Sequence, residues 1–224
     1  MRLELMSRDG SELVDVSPVE LIIAGWTGRD AVALEKHMAE LEELGVRRPS
    51  QAPIFYASSV SRLVVSDLVE VLGDATSGEA EFVLLQRNGV LWVGLGSDHT
   101  DRELEAHSVA ASKQICDKPI ARQFWRYDDV APHWDALLLR SYATIAGKRE
   151  LYQDGGVAQM RSPADLIARY APGGLPDNAV MFCGTVAVIG GIRPAERFEC
   201  ELEDPKLGRK LAFGYGVRCL PVRN

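Results

Sequence analysis

The chain has no apolar run long enough to cross a bilayer, no Cys-x-x-Cys pair and no surplus of positive charge. Each absence excludes something. A membrane-spanning helix needs about 20 consecutive apolar residues. Met1 to Leu21 carries Arg2, Glu4, Arg8, Asp9, Glu12 and Asp15, which also excludes a signal-peptide core. No membrane association is expected, and the expected location is cytoplasmic. The four cysteines, Cys116, Cys183, Cys200 and Cys219, read as buried free thiols of a reducing compartment. A net charge of -7 gives no general positive field for phosphate backbones, so no nucleic acid is expected as a partner. A small acidic substrate would need locally placed cations instead. Gly184 to Gly191 lacks Gly-x-Gly-x-x-Gly after a strand, which excludes a dinucleotide site, and regular internal repeats are missing.

What is present is ordinary globular usage over 224 residues, with 46% hydrophobic and 25% charged residues, enough for one sizeable core. Arg2 to Val16 alternates around Asp9-Gly10, a hairpin signal. Ser17-Pro18-Val19-Glu20 fits a helix start with a capping box, while Leu21 to Gly25 equally fits a buried strand. Asp30 to Leu44 spaces Ala31, Leu34, Met38 and Leu41 by three or four, which predicts an amphipathic helix ended by Gly45. Pro49 to Pro53 reads as a loop and Ile54 to Ala57 as a strand. Further short strands are expected at 63–65, 68–72, 81–85, 90–93, 179–183 and 198–203, with helices at Thr100–Lys113 behind a Thr cap and at Pro163–Tyr170 behind Ser162. The fold class is therefore mainly β (α+β), a sheet-dominated core with peripheral helices, divided into a small N-terminal segment, 1–50, and a core, 51–224.

Three groups of residues could carry chemistry. Glu79 and Glu81 open a strand, so the period of two turns both carboxylates to one face. They are either solvated glutamates of an edge strand or two ligands of a cation. Asp98 follows at a strand end and can reach the same place, or it can complement a helix dipole. Three carboxylates completed by water make an oxygen donor set suited to magnesium or manganese. His37 and Glu40, three apart on the predicted helix, form either a surface ion pair or a dyad in which the carboxylate orients the imidazole. The remaining histidines have no metal-pair spacing; His133 beside Trp134 is read as packing, and the four Trp as core or interface anchors.

The order of these pieces resembles the fumarylacetoacetate hydrolase superfamily from about Ile22 to Val217. His37-Met38-Ala39-Glu40, then Pro49 and Pro53-Ile54-Phe55, is similar to the family's His-x-x-Glu lid helix and its Pro-rich entry to the first core strand. Gly78-Glu79-Ala80-Glu81-Phe82 resembles the Glu-Gly-Glu metal strand. Ser97-Asp98-His99-Thr100-Asp101-Arg102-Glu103-Leu104-Glu105 resembles the segment with the third ligand. Lys113, Asp117-Lys118-Pro119-Ile120, Tyr152-Gln153, Met160, Leu166-Ile167, Cys183-Gly184-Thr185, Phe198 to Leu202 and Gly208 follow in family order. Ser97, Glu105 and Val186 stand where the family has Asn, Gln and Pro, which marks a divergent branch.

The resemblance implies a mixed β-sandwich or β-roll core with an N-terminal lid helix, a homodimer, and Mg2+ or Mn2+ held by Glu79, Glu81 and Asp98. It assigns His37 and Glu40 to water activation and Lys113 to charge stabilisation, with Arg102, Glu105, Gly184 and Thr185 contacting the substrate. The implied activity is hydrolysis of a carbon–carbon bond in an acylpyruvate-like or 1,3-dicarbonyl acid. Decarboxylation, hydration or isomerisation of a 2-oxo acid at the same site, and a non-catalytic binding protein of the same fold, are the alternatives.

Overall fold

The computed structural model describes residues 1–43 and 49–223; in the helix 31–43 the side chains of residues 33, 36, 37, 40, 41 and 43 lie outside that description. The hairpin β1 (Arg2–Ser7) and β2 (Gly10–Asp15) is followed by β3 (Glu20–Gly25), helix α1 (Ala31–Glu43), β4 (Ile54–Ser58), β5 (Leu63–Val64), β6 (Leu68–Leu72) and β7 (Thr76–Ser77). Then come the hairpin β8 (Ala80–Arg87) and β9 (Val90–Ser97), β10 (Thr100–Asp101), helices α2 (Arg102–Glu105) and α3 (Val109–Ile115), β11 (Lys118–Pro119), β12 (Gln123–Arg126) and α4 (Tyr127–Val130). The chain closes with the hairpin β13 (Leu138–Ile145) and β14 (Lys148–Gly156), α5 (Pro163–Tyr170), β15 (Ala179–Phe182), β16 (Arg197–Asp204) and β17 (Arg209–Leu220).

Eight strands form one sheet in the order β2-β1-β12-β9-β8-β15-β3-β4, and five form another in the order β14-β13-β16-β17-β6. Alternation decides the packing. In β8, Ala80, Phe82 and Leu84 join the core between the two sheets, where they meet Leu139, Ala143, Phe198, Leu202 and Tyr215. Val83 and Leu85 point the other way, into a second core with Leu3, Leu21, Ile23, Phe124 and Phe182. Burying each such side chain is worth about 1.5–3 kcal/mol. The central strands are covered on both faces, which is why they read as continuous apolar runs. Segment 1–50 supplies β1, β2 and β3 to the same sheet as β8 and β9.

Several local expectations are met and others corrected. The hairpin at Asp9-Gly10 forms, with Ser7 paired to Gly10. α5 begins behind Ser162, whose hydroxyl accepts from Asp165 N. Residues Leu21 to Ala24 are a buried strand paired to β15 and β4, and no helix starts at Ser17, because two-sided pairing outweighs the local capping signal. The single helix expected over Thr100–Lys113 is broken in two. Thr100 belongs to β10, Asp101 caps α2 by accepting from Leu104 N, and Ser108 caps α3 by accepting from Ala111 N. Cys219 is exposed, in contrast to the other three cysteines. His133 does not merely pack: its Nε2 lies 2.9 Å from Asp204 Oδ1. Among the described residues, no helix is long and apolar enough to cross a membrane.

Candidate metal centre

The β8–β9 hairpin builds the centre. Its register pairs Ala80 with Ser97, so Glu79 and Asp98 are the next residues outward on the two strands. Asp98 N donates to Glu79 O at 2.9 Å, and Glu79 N donates to Ser97 Oγ at 3.2 Å. Glu79 and Glu81 share the face of β8 that carries Val83 and Leu85, as the period of two requires. Glu79, Glu81 and Asp98 each offer a carboxylate oxygen within 4.8 Å of the others. Glu81 and Asp98 are fully buried and Glu79 is partly open.

Three carboxylates this close repel unless positive charge stands among them. Lys113, on α3, donates to Asp98 Oδ2, and Lys118 Nζ lies 3.2 Å from Asp98 Oδ1. Burial pushes the Asp98 carboxyl up, but the two lysines outweigh burial and hold it down at about 2. Burial also works against the Lys113 ammonium, yet Asp98, Glu79 and Glu105 raise its pKa overall. Glu81 is different. Burial, then the charges of Asp98 and Glu79, push it well above the ordinary carboxylate range, and only Lys113 and one N–H, Gly184 N to Oε2 at 2.7 Å, favour its ionised form. A buried carboxylate facing two others is what a divalent cation would stabilise, and an all-oxygen donor set is hard, so the residues fit magnesium or manganese.

These shifts set a pH dependence of stability. The depressed Asp98 binds fewer protons in the folded chain than in the unfolded one, so its stabilisation is present above about pH 4 and is lost as pH falls toward 2. Glu81 has the opposite sign: the folded chain holds its proton longer, so stability falls as pH rises above the ordinary carboxylate range, and a cation that neutralises Glu81 removes that loss. Urea unfolding across pH, with and without magnesium, is expected to show a magnesium stabilisation that grows with pH; a magnesium effect independent of pH would contradict this assignment.

The walls are fixed by a saturated polar network. Gln153 has no exposure; its amide oxygen accepts from Ala80 N (3.0 Å) and Ser141 Oγ (2.7 Å), and its Nε2 donates to Thr185 Oγ1 and Val186 O, both at 2.7 Å. Thr185 Oγ1 in turn donates to Ala80 O at 2.6 Å, so its proton is committed to strand β8. Gly184 has φ +94, and a Cβ there would sit 1.8 Å from Thr27 Oγ1. Behind Asp98, His99 is buried between Tyr215 (Nδ1 to Oη, 3.0 Å) and Thr76 (Nε2 to Oγ1, 2.9 Å), and Tyr215 Oη reaches Ser97 Oγ at 2.8 Å. Burial, then Lys118 and Arg102, lower the His99 pKa to about 3, which keeps it neutral.

The structure thus brings Glu79, Glu81, Asp98, Lys113, Gly184, Arg102 and Glu105 into one neighbourhood, with Thr185 joined to it through Ala80. Arg102 is tied to the centre's own acids: Nη2 lies 3.2 Å from Glu79 Oε1, Nη1 donates to Glu105 Oε2 at 2.8 Å, and Nε donates to Ser77 Oγ at 2.7 Å. The backbone of His37 and Glu40 lies in α1, while their side chains lie outside the described residues. Lys118, His99 and Tyr215 were not among the expected site residues. A lone buried lysine and a tyrosine from a distant strand leave no local pattern to find them by.

This two-sheet architecture is the fold of solved proteins of the fumarylacetoacetate hydrolase family. Yeast ynq8, a fumarylacetoacetate hydrolase family protein, superposes with a TM-score of 0.67 at 15% identity over 92% of this chain and 95% of that chain. A candidate fumarylpyruvate hydrolase from Burkholderia cenocepacia gives 0.62 at 20% identity over 99% and 96%. The apo form of 2-keto-3-deoxy-D-arabinonate dehydratase gives 0.61 at 17% identity over 94% and 77%. At these identities the likeness is one of fold. The chain belongs to the family described as Protein of unknown function (DUF2848), whose profile matches residues 24–215. No curated protein matches it.

Proposed function

We propose that this protein is a divalent-cation-dependent enzyme that hydrolyses a carbon–carbon bond in an acylpyruvate-like or 1,3-dicarbonyl acid. The observation that carries this reading is the convergence of Glu79, Glu81 and Asp98, with Lys113 and Lys118 behind Asp98. Glu79, Glu81 and Asp98 would hold magnesium or manganese, which when bound supplies Lewis-acid stabilisation of negative charge developing on the substrate's oxo oxygen. The chain's own groups do the rest. Lys113 keeps Asp98 ionised and fixed, and Gly184 N–H aims Glu81. The Gly184–Thr185 turn, anchored by Gln153, orients the acid end of the substrate, and Arg102 receives a carboxylate by exchanging it for Glu105 on its planar fork.

His37 and Glu40 are assigned to water activation. Their spacing of three in the sequence would let the carboxylate orient the imidazole and the imidazole take the proton from water. Helix α1, within segment 1–50, then acts as a lid over the core, 51–224, shielding the reaction from bulk solvent. A homodimer is the proposed assembly. A second reading, loss of water from or rearrangement of a 2-oxo acid, is favoured by the presence of a dehydratase among the proteins that share the fold. His37→Ala separates the two: hydrolysis should be lost, whereas a dehydratase or isomerase, which activates no water, should retain measurable turnover.

Calorimetric binding of magnesium or manganese, with and without oxalate as a mimic of a 2-oxo acid enolate, tests the centre itself. Oxalate binding that requires the cation and disappears in Asp98→Asn is expected. A native chain that binds neither cation would sink the enzyme reading and leave a non-catalytic protein of this fold.

A further inference from the structure

Lys118 is the most deeply buried charged side chain next to the centre, with no exposure at all. Its Nζ faces Asp98 Oδ1 at 3.2 Å and Cys116 O at 3.1 Å, and it also donates to His99 O. Burial lowers the Lys118 pKa although Asp98 raises it, but with two N–H groups given to carbonyls the third side of the nitrogen faces a carboxylate oxygen, which an ammonium N–H satisfies and the lone pair of a neutral amine would repel. Lys113 already occupies the other oxygen of the same carboxylate. Asp98 therefore meets a fixed positive charge on both oxygens, one more than is needed to neutralise it.

The excess changes the balance of the whole centre. With Glu81 ionised, as a bound cation requires, Glu79, Glu81, Asp98 and Glu105 bring four negative charges, against three positive charges on Lys113, Lys118 and Arg102. One negative charge is left over, and a divalent cation converts it into one positive charge. Without Lys118 the same loaded centre would be neutral. The ammonium also repels the cation from close by, in surroundings where screening by water is weak. Both effects run the same way: the cation alone is held loosely, and the loaded centre attracts an anion.

We propose that Lys118 makes the cation and an anionic chelating substrate bind as a pair, each weakly held alone and mutually reinforcing together. This rests on the cation-dependent reading above. Lys118 touches neither ligand; it is a positioning residue that sets affinity through Asp98. Because coupling between two ligands is reciprocal, oxalate must raise cation affinity by the same factor as the cation raises oxalate affinity.

The test is calorimetric binding of magnesium and manganese, with and without oxalate, to the native chain, Lys118→Met and Lys118→Arg. In the native chain oxalate is expected to tighten cation binding by at least about tenfold. Lys118→Met should bind the cation alone about tenfold more tightly and lose most of the oxalate effect, while Lys118→Arg, which keeps the charge but not the shape of the ammonium, should keep a larger oxalate effect than Lys118→Met. Native cation affinity indifferent to oxalate overturns the proposal whatever the variants do, as does cation binding to Lys118→Met that is no tighter than native. Absence of cation binding to the native chain under both conditions is a different failure, that of the cation-dependent reading itself.

Discussion

Asp98→Asn is expected to cost the folded protein about 3–5 kcal/mol, far more than a surface acid of the same kind, because it strands two buried ammonium groups at once. Asn has the shape of Asp but no charge, and its amide offers an acceptor on one side only. Lys113 and Lys118, both nearly or fully buried, each lean on one Asp98 oxygen. Whichever way the amide turns, one ammonium faces an N–H. Urea unfolding at neutral pH measures the loss, with Glu103→Gln on the exposed side of α2 as the control expected to stay within about 0.5 kcal/mol. Adding Lys118→Met to Asp98→Asn should recover part of the loss, since the pair is coupled. A loss below about 1 kcal/mol would mean that the lysines do not depend on Asp98.

Gly184→Ala is expected to lose about 2–5 kcal/mol, from two causes that can be separated. The position has φ +94, which an L side chain rarely adopts, and the added Cβ would lie 1.8 Å from Thr27 Oγ1. Thr27 is itself buried against the turn, so the backbone must shift, and the shift draws Gly184 N away from Glu81 Oε2. Cation affinity should fall along with stability. Thr27→Ala removes the hydroxyl and should recover the steric part in the double variant, leaving the strain of the backbone angle. Chemical denaturation of the two single variants and the double variant gives the partition; full additivity would show that Thr27 is not the obstacle.

The sequence was legible where one local rule governed a segment. Ser162-Pro163 starts a helix and Asp9-Gly10 closes a hairpin because caps and tight turns are decided by a few adjacent residues. It was illegible where a turn carried no signal residue or where pairing partners lay outside the segment. The β13–β14 hairpin turns through Ala146 (φ 49) and Gly147 (φ 73), and Ala in a left-handed conformation gives no turn signal to read. The helix expected over Thr100–Lys113 broke because β10 pairs with β7, taking Thr100 and Asp101 out of helical register.

The same division runs through the centre. By itself the sequence determined which residues could be ligands: the period of two in Glu79-Ala80-Glu81 fixes a shared face, and Asp98 directly follows the strand that pairs with it. Only the tertiary structure decided the charge those ligands meet. Lys113 comes from a helix 15 positions beyond Asp98, Gly184 from a turn 103 positions beyond Glu81, and Tyr215 from a strand 118 positions beyond Ser97. Side-chain direction is set by backbone period and can be read along the chain. Electrostatic environment is set by distance through space, and no spacing in the sequence records it.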